Sequence, residues 1–290
     1  MDDPAVSVLT LVKGRDAHLR HLLAGLDRGT RRPDRCVVVD MGASPAVLPS
    51  CGFPVLRHRL PSAGLPLAAA RNAAARLAAG TEALVFLDVD CIPARDLVEV
   101  MAREALAAEA LVCCEIRYLP AGASAGFLPA EDALLAAGRP HPERPFPAAG
   151  LRAEPNAGLF WSLAFSVRRS AFERIGGFDE RYTGYGGEDT DLAFRAREAG
   201  LPLLFTGDTR AFHQHHAIHD PPLQHFADIL RNARRFRARH GIWPMDGWLA
   251  AFARMELIDP VSPDATDIVV LRAPTAVEVA AAACSPDRTF

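Results

Sequence analysis

The sequence predicts an α/β protein whose central sheet is mixed, mainly parallel and flanked by helices. Three observations lead to this fold class. Hydrophobic residues make up 50% of the 290 residues, which is enough for a sizeable core. Short apolar runs alternate with segments of helical periodicity, and the chain opens in the order strand, helix, strand. Because strands joined by a crossover helix pair in parallel, we expect a single domain on a largely parallel sheet, with a C-terminal helical extension.

The first half of the chain supplies these elements in regular alternation. The run from Ala83 to Leu87 is apolar throughout, which favours a central strand covered on both faces. Leucines recur at helical spacing after the first strand, and Gly80 can end an alanine-rich helix. Strands are predicted over residues 5–12, 36–39, 55–59, 83–87 and 110–117, and helices over residues 15–28, 67–79 and 95–108.

The second half is less regular. Residues 118–156 are rich in Pro, Gly and Ala, which predicts a binding loop, a lid or disorder. Beyond about residue 258 the pattern weakens, so the end of the chain is expected to be partly disordered or loosely packed. Strands are predicted over residues 159–167 and 201–205, helices over residues 169–175, 188–199 and 226–239, and a histidine-rich segment over residues 213–219.

Composition and charge exclude several classes of protein. A formal net charge of −3 with scattered Arg gives no sustained basic face, which excludes a nucleic-acid partner. Six cysteines without a CxxC pair indicate reduced core residues, and adjacent Cys113 and Cys114 should point to opposite faces of a strand. The N-terminus lacks a basic region followed by an apolar segment, and no apolar run reaches the ~18–20 residues of a membrane span. We expect a cytoplasmic protein, with peripheral membrane contact left open.

Asp88 and Asp90 follow the buried strand with one residue between them. On extended backbone this spacing puts both carboxylates on one side of the chain, at the sheet edge where α/β proteins bind ligands. Two neighbouring carboxylates need a cation, and Mg²⁺ or Mn²⁺ also binds diphosphate oxygens. The alternative is that Asp88 caps a loop and Asp90 begins the turn before Pro93. The position at a strand end favours a metal site.

A second acidic pair, Glu188 and Asp189, follows two glycines at a predicted helix start. Glycines let a ligand approach the backbone, and the helix dipole keeps first-turn acids ionised. An ionised carboxylate there can accept the proton of a hydroxyl group. The alternative is that Glu188 and Asp191 only satisfy free backbone amides in the first helical turn. The paired glycines, with Tyr182 and Tyr185 before them, favour a catalytic site.

Two further groups offer contacts. Neutral imidazoles from residues 213–216 can give a metal ion a third protein ligand, and His213 and His216 are both candidates. Arg71 and Asn72 are the polar pair of the alanine-rich helix, and an arginine suits phosphate or carboxylate through its forked donors. We interpret this pair as donor-site contacts, and the alternative is a solvent-facing position.

Taken in order, these segments resemble the family 2 type of glycosyltransferase, which has the GT-A (Rossmann-like) fold. The resemblance covers roughly residues 5–216 and rests on the stretches VSVLTLVKGR, VVVDMG, AAARNAAA, ALVFLDVD and GGFDERYTGYGGEDTDLAFR. The last stretch is also similar to the C-terminal motif of galactosyltransferase and polypeptide N-acetylgalactosaminyltransferase domains, where an aromatic-Gly-Gly-Glu-Asp sequence borders the acceptor site. Here Tyr185 stands in place of the commoner Trp, and the second strand ends in Asp40-Met41-Gly42 where many relatives carry a second Asp.

For the donor, the resemblance implies a nucleoside-diphosphate sugar, with a UDP-sugar favoured by analogy. It implies that Thr10 and Asp40 contact the nucleoside and that Arg71 lies near the donor. Asp90 is then the main metal ligand and Asp88 touches the ribose or the metal, with Mn²⁺ or Mg²⁺ as the ion.

For the acceptor, the resemblance implies that Asp189 is the catalytic base and that Glu188 binds the acceptor. One histidine of residues 213–216 completes the metal site. The implied reaction is direct displacement with inversion, to a hydroxyl of a glycan, a small molecule or a peptide. A lipid-linked acceptor stays open through the basic helix, which carries Arg231, Arg234, Arg235 and Arg237, although such a charge run is usually a solvated face.

The resemblance also divides the chain. Residues 1–216 are the expected GT-A domain, made of a nucleotide-sugar-binding half (1–117), a flexible acceptor-side loop (118–156) and an acceptor and catalytic half (157–216). Residues 217–290 are the expected helical extension and tail.

Two rival interpretations stay open. One is a sugar nucleotidylyltransferase, for which Lys13-Gly14-Arg15 after the first strand superficially suits phosphate binding. The other is a non-catalytic carbohydrate-binding domain of the same fold.

Overall fold

The structure, a computed structural model, describes residues 4–285, and these contain a ten-stranded sheet. The strands are β1 (Val6–Val12), β2 (Arg35–Asp40), β3 (Val55–Arg59), β4 (Ala83–Leu87), β5 (Cys91–Pro93), β6 (Leu111–Tyr118), β7 (Arg139–Pro140), β8 (Leu151–Ala153), β9 (Ala164–Arg168) and β10 (Leu203–His213). Eight of them lie in the order β3-β2-β1-β4-β9-β6-β10-β5, while β7 pairs with β6 and β8 pairs with β10.

The sheet is mixed and mostly parallel, as predicted. β1 pairs in parallel with β2 and β4, β2 with β3, and β6 with β10. β9 runs antiparallel between β4 and β6. Six strands therefore run in one direction, and their C-terminal ends share one edge of the sheet. The backbone N of Asp88 donates to the carbonyl O of Leu163 at 2.8 Å, so β9 starts at this same edge.

Helices cover both faces of the sheet. They are α1 (Asp16–Asp27), α2 (Leu67–Leu77), α3 (Leu97–Ala107), α4 (Glu131–Ala137), α5 (Arg169–Arg174), α6 (Glu188–Glu198), α7 (Phe226–His240), α8 (Asp246–Arg254) and α9 (Ala276–Ala281). α1 and α3 bury Leu22 and Met101 on one face, and α2, α5 and α6 pack on the other face around Phe86. Cys113 and Cys114 lie in opposite layers, which confirms that they point to opposite faces of β6.

Several elements differ from the prediction. Residues 118–156 are not one irregular loop, because they contain α4, β7 and β8. The strand predicted over 159–167 begins only at Ala164, since residues 157–159 form a 3₁₀ turn. β5 has three residues, too few to show a periodic pattern, and it was not predicted. β10 continues to His213 because its pairing with β6 extends that far.

The C-terminal extension has a core of its own. Phe226, Phe252 and Ile268 are buried together there. Thr275 caps α9, with its Oγ1 accepting from the backbone N of Glu278 at 3.2 Å. The loose tail expected beyond residue 258 is therefore folded as far as residue 285, and residues 286–290 lie outside the described part of the chain. No helix within residues 4–285 combines the length and the apolar character that crossing a membrane requires.

Candidate functional site

The C-terminal edge of the sheet brings Asp90 and the histidine segment together. After Asp90 the chain turns into β5, which pairs antiparallel with β10 and puts Cys91 opposite His213. The backbone N of Gln214 then donates to the carbonyl O of Asp90 at 2.7 Å. The unpredicted β5 is thus the element that carries the histidines to the end of β4.

Asp90, His213 and His216 form a group that could hold a metal ion. Their ligand atoms all lie within 4.8 Å of one another. The Nε2 of His213 is 3.5 Å from Asp90 Oδ1, and the Nε2 of His216 is 3.4 Å from Asp90 Oδ2. Arg15, which sequence reasoning did not connect with this site, also pairs with Asp90. Asp88 lies outside this group of three ligands.

The pKa values of Asp90 and His213 are shifted in directions that favour cation binding. Burial opposes ionisation of Asp90, but His213, a hydrogen bond from His216 and Arg15 together hold the pKa of Asp90 well below its usual range. Burial lowers the pKa of His213 to about 4, although Asp90 opposes this. At neutral pH the site therefore offers an ionised carboxylate and a neutral His213 imidazole, the protonation states that metal binding needs.

Arg71 connects the two acidic motifs. Its Nη2 lies 3.2 Å from Asp88 Oδ1 and its Nη1 lies 3.0 Å from Glu188 Oε1, and 6% of its side chain is exposed. Arg71 lies on α2, whose alanines are buried against the sheet. Its Cζ is 5.2 Å from the centroid of the Phe178 ring. A single buried cation therefore joins the end of β4 to the start of α6.

Both carboxylates resist ionisation despite this arginine. Burial raises the pKa of Asp88 to about 6, with Arg71 opposing the rise and Asp90 adding to it. Burial, followed by the charge of Asp189, raises the pKa of Glu188 to about 7, again against Arg71. The cause in each case is the loss of water around a negative charge.

The turn before α6 is held open by glycine and fixed from the C-terminal extension. Gly186 and Gly187 both have φ of +90°, a conformation that side chains rarely adopt. A Cβ on Gly186 would lie 2.9 Å from the Sδ of Met245. The Nδ2 of Asn232 on α7 donates to the carbonyl O of Gly186 at 2.8 Å. No local pattern marks Asn232, so sequence reasoning missed it.

The carboxylate of Asp189 is bonded through one of its two oxygen atoms. Its Oδ1 accepts from the backbone N of Thr190 at 2.7 Å, while its Oδ2 has no hydrogen bond to any residue within 4–285. The neighbouring Glu188 instead accepts a hydrogen bond from Arg71. The structure therefore gives the two acids different surroundings.

Aromatic side chains border the acidic helix start and the metal group. The ring of Tyr185 stacks on His225 at 4.5 Å, and burial raises the pKa of its hydroxyl to about 12. On the other side, Tyr118 lies 5.0 Å from the ring of His213, and His141 lies 4.9 Å from Trp161. The segment expected on the acceptor side thus begins beside the metal group.

Two of the predicted donor contacts, Asn72 and Thr10, are buried in the structure. Asn72 donates to the carbonyl O of Phe178 at 2.8 Å and to Glu180 at 2.9 Å, and its Oδ1 accepts from the N of Phe178, so it holds a turn and has no spare donor. The prediction of a donor contact for Asn72 is not supported by this placement. Thr10 is 1% exposed inside β1. Its buried position within the sheet likewise argues against a direct nucleoside contact.

Asp40 holds the loop that follows β2. Its carboxylate accepts from the backbone N of Gly42 at 2.9 Å and of Ala46 at 2.7 Å, and it pairs with Arg59. Burial opposes ionisation, but these amides and Arg59 lower the pKa of Asp40 below its usual value. Contact with a nucleoside stays a prediction for this residue.

The basic residues after β1 are already engaged. The Nζ of Lys13 donates to the carbonyl O of Ala63 at 2.9 Å and of Gly64 at 2.8 Å. Arg15 is paired with Asp90. A phosphate-binding role for the Lys13-Gly14-Arg15 turn, as the nucleotidylyltransferase interpretation needs, would require both side chains to leave these partners.

Known protein families and relatives match this chain over most of its length. The model described as Glycosyl transferase family 2 matches residues 7–176, and the model described as N-terminal domain of galactosyltransferase matches residues 154–217. The chain is 29% identical to Validoxylamine A glucosyltransferase of Streptomyces hygroscopicus subsp. limoneus, over 82% of this chain and 57% of that protein. It is 32% identical to Pre-mycofactocin glycosyltransferase of Mycobacterium tuberculosis, over 72% of this chain and 43% of that protein. The chain thus spans about half the length of these curated relatives.

Solved structures share the fold. The structure of GalNAc-T7 with UDP, GalNAc and Mn²⁺ superposes with a TM-score of 0.55 at 17% identity, covering 73% of this chain and 43% of that one. The structure of S. aureus TarS 1-349 superposes with a TM-score of 0.52 at 14% identity, covering 80% of this chain and 65% of that one. At this level of identity the likeness establishes the GT-A type of fold alone.

Proposed function

Because this chain belongs to glycosyl transferase family 2, we propose that it transfers a sugar from a nucleoside-diphosphate sugar to a hydroxyl of an acceptor. UDP is the favoured carrier of the sugar. The observation that carries the proposal is the buried Arg71, which joins Asp88 to Glu188. It keeps a cation-binding strand end and an acidic helix start at one edge of the sheet. Transfer of a sugar from a nucleoside diphosphate needs a cation site for the leaving group close to an acid that can accept the hydroxyl proton.

The donor atoms of Asp90, His213 and His216 fit a divalent ion. One carboxylate and two imidazoles lie close enough to share an ion, and the low pKa of His213 leaves its imidazole neutral. Of the two predicted ions, Mn²⁺ suits this set better, because Mg²⁺ prefers oxygen ligands. Such an ion would neutralise the diphosphate leaving group. Asp88, held by Arg71, is then assigned to the donor ribose.

Asp189 is assigned as the base of a direct displacement. The acceptor oxygen forms a bond to the anomeric carbon as the bond from that carbon to the diphosphate oxygen breaks. The hydroxyl proton moves to Asp189, and the electron pair leaves with the nucleoside diphosphate. Because the attack comes from the side opposite the leaving group, the anomeric configuration inverts. The unbonded Oδ2 of Asp189 supports this assignment, and Glu188 is assigned to the acceptor.

The Asp189→Asn variant tests the proposal. We expect it to lower transfer by at least about a hundredfold, the usual contribution of a positioned base, and to leave Mn²⁺-dependent binding of UDP nearly unchanged. Asp132→Asn is the control, since Asp132 is an exposed acid in the first turn of α4. Wild-type turnover in Asp189→Asn would refute the assignment.

Release of pyrophosphate from a nucleoside triphosphate and a sugar phosphate would instead support a nucleotidylyltransferase. Binding of a glycan without donor turnover would support a carbohydrate-binding domain.

A further inference from the structure

Arg15 lies in the turn between β1 and α1, at the sheet edge that carries the metal group. Because β1 pairs in parallel with β4, the turn that follows β1 lies beside the end of β4. The Nη1 of Arg15 donates to Asp90 Oδ2. The Arg15 side chain is 34% exposed, whereas that of Asp90 is 8% exposed. A side chain that reaches in from solvent therefore contacts a buried carboxylate of the metal group.

Arg15 shares one oxygen atom of Asp90 with a predicted metal ligand. The Nε2 of His216 lies 3.4 Å from the same Oδ2, while His213 faces Oδ1 at 3.5 Å. The charge of Arg15 is also felt by the second imidazole: burial is the main cause that lowers the pKa of His213 to about 4, and Arg15 adds to it. An ion held by Asp90 and the two histidines would thus have the Arg15 guanidinium as a near neighbour.

A divalent ion at Asp90 reverses the sign of the charge that Arg15 faces. The ionised carboxylate alone attracts the guanidinium. One carboxylate, two neutral imidazoles and a divalent ion together carry a net charge of about +1, which repels a guanidinium at short range. The contact between Arg15 and Asp90 and the binding of an ion at Asp90 therefore oppose each other.

The Arg15 side chain has few other attachments. Among residues 4–285, Asp90 is its only hydrogen-bond partner and its only ion-pair partner. Lys13, in the same turn, is in contrast held by the carbonyl O atoms of Ala63 and Gly64. Arg15 can therefore change partners by rotation of its own side chain, without a change in β1 or α1.

A diphosphate would offer Arg15 a replacement for Asp90. Divalent ions such as Mn²⁺ and Mg²⁺ bind diphosphate oxygens, so the proposed donor would bring two phosphate groups to Asp90. The forked N–H donors of a guanidinium match phosphate oxygens as well as they match a carboxylate.

We propose that Arg15 is a donor-binding residue that exchanges partners, pairing with Asp90 in competition with the divalent ion and with the donor diphosphate once the ion is bound. Arg15 then links the two binding events, because its release from Asp90 favours the ion and its new contact favours the nucleotide. The ion and the nucleotide should therefore bind cooperatively. The diphosphate contact rests on the proposed function, whereas the competition at Asp90 rests on the metal group alone.

Titration with Mn²⁺ alone, with the free ion followed by electron paramagnetic resonance, tests the competition. Arg15→Met removes the competing cation and should tighten Mn²⁺ binding by about fivefold, the upper end of the contribution of a partly exposed ion pair. Arg15→Lys keeps the charge and should stay closer to the wild type. Arg20→Met is the matched control, because Arg20 is an exposed residue of α1 and its loss removes the same charge. This control should bind Mn²⁺ as the wild type does.

Titration with UDP at saturating Mn²⁺ tests the diphosphate contact. Arg15→Met should weaken UDP binding by about tenfold or more, the loss of a hydrogen bond from a charged donor. Arg20→Met should again match the wild type. A single substitution is thus expected to tighten binding of the ion and to weaken binding of the nucleotide, which a general loss of structure would not do.

Two results would overturn the proposal. Mn²⁺ binding that is equal or weaker in Arg15→Met, or absent from both proteins, would show that Arg15 does not compete with the ion. UDP binding by Arg15→Met at the wild-type affinity would exclude the diphosphate contact. A wild type that binds Mn²⁺ but neither binds UDP nor transfers a sugar would count against the proposed function, and the titration with Mn²⁺ alone would still decide the competition at Asp90.

Discussion

Replacing Arg71 with methionine should destabilise the protein strongly and in a pH-dependent way. The guanidinium is the counter-charge of two carboxylates, at 3.0 Å from Glu188 and 3.2 Å from Asp88. Methionine keeps much of the volume of the side chain but leaves both acids unpaired. Breaking a buried pair from one side costs about 3 to 5 kcal/mol. We expect a loss of free energy of unfolding of about 3 kcal/mol at about pH 8.

The pH dependence follows from the sign of the pKa shifts. Glu188 has a pKa of about 7 in the folded protein against 4.5 as its ordinary value, so the folded state binds its proton more tightly than the unfolded state does. Such a group lowers stability as pH rises from its unfolded pKa to its folded pKa. Without Arg71 the folded pKa of Glu188 rises further, which extends this window upward. The loss caused by Arg71→Met should therefore be smaller at about pH 5, by about 1.4 kcal/mol for each pH unit of added shift.

Urea unfolding in the presence of a chelator, at about pH 5 and about pH 8, measures this effect. Arg76→Met on the same helix is the control, because Arg76 is 66% exposed and pairs with an exposed Glu180. It should cost less than about 1 kcal/mol at either pH. Adding Glu188→Gln to Arg71→Met should restore part of the loss. Equal losses in the two arginine variants, or a loss in Arg71→Met that does not change with pH, would refute the reasoning.

Three further outcomes are expected. Mn²⁺ should raise the unfolding temperature of the wild type and not that of Asp90→Ala. Because the pKa of His213 is about 4, the increase in the wild type should persist at about pH 6 and fade toward pH 4. An equal increase in Asp90→Ala would exclude this metal site. Asn232→Ala should lower the free energy of unfolding by about 1 to 3 kcal/mol and weaken acceptor binding, and unchanged urea unfolding would contradict the role of Asn232. Gly186→Ala should unfold at a lower urea concentration than the wild type, because its added Cβ is strained at positive φ and lies close to the Sδ of Met245. Wild-type stability of this variant would contradict the geometry of the turn.

The sequence was informative wherever a site residue is adjacent to a recognisable element. Asp88 and Asp90 could be placed because they follow an apolar strand, and Glu188 and Asp189 because glycines mark a helix start. The polarity of Asn72 was equally visible, but its direction on α2 depends on which turn packs there. Sequence patterns report local periodicity, whereas the partners of a side chain depend on the whole fold.

The residues that sequence reasoning missed all act across long chain separations. Arg15 reaches Asp90 over 75 positions, and Asn232 reaches Gly186 over 46. In the sequence, Gln214 is a polar residue between histidines, and its contact with Asp90 depends on the pairing of β5 with β10. None of these pairs has a local signature, because strand order and crossover geometry decide which distant segments meet.

The reversed direction of β9 has a consequence for how such a protein can diversify. After Tyr118 the chain leaves the run of eight paired strands, and it rejoins that run after Leu163, next to Asp88. Between these points only the short β7 and β8 pair with the sheet, so both ends of the intervening segment are fixed at one edge. A segment anchored in this way can lengthen, shorten or be exchanged at little entropic cost, without displacing the strands beneath it. Under the proposed function, the residues assigned to bond making are thereby inherited separately from the segment assigned to the acceptor side.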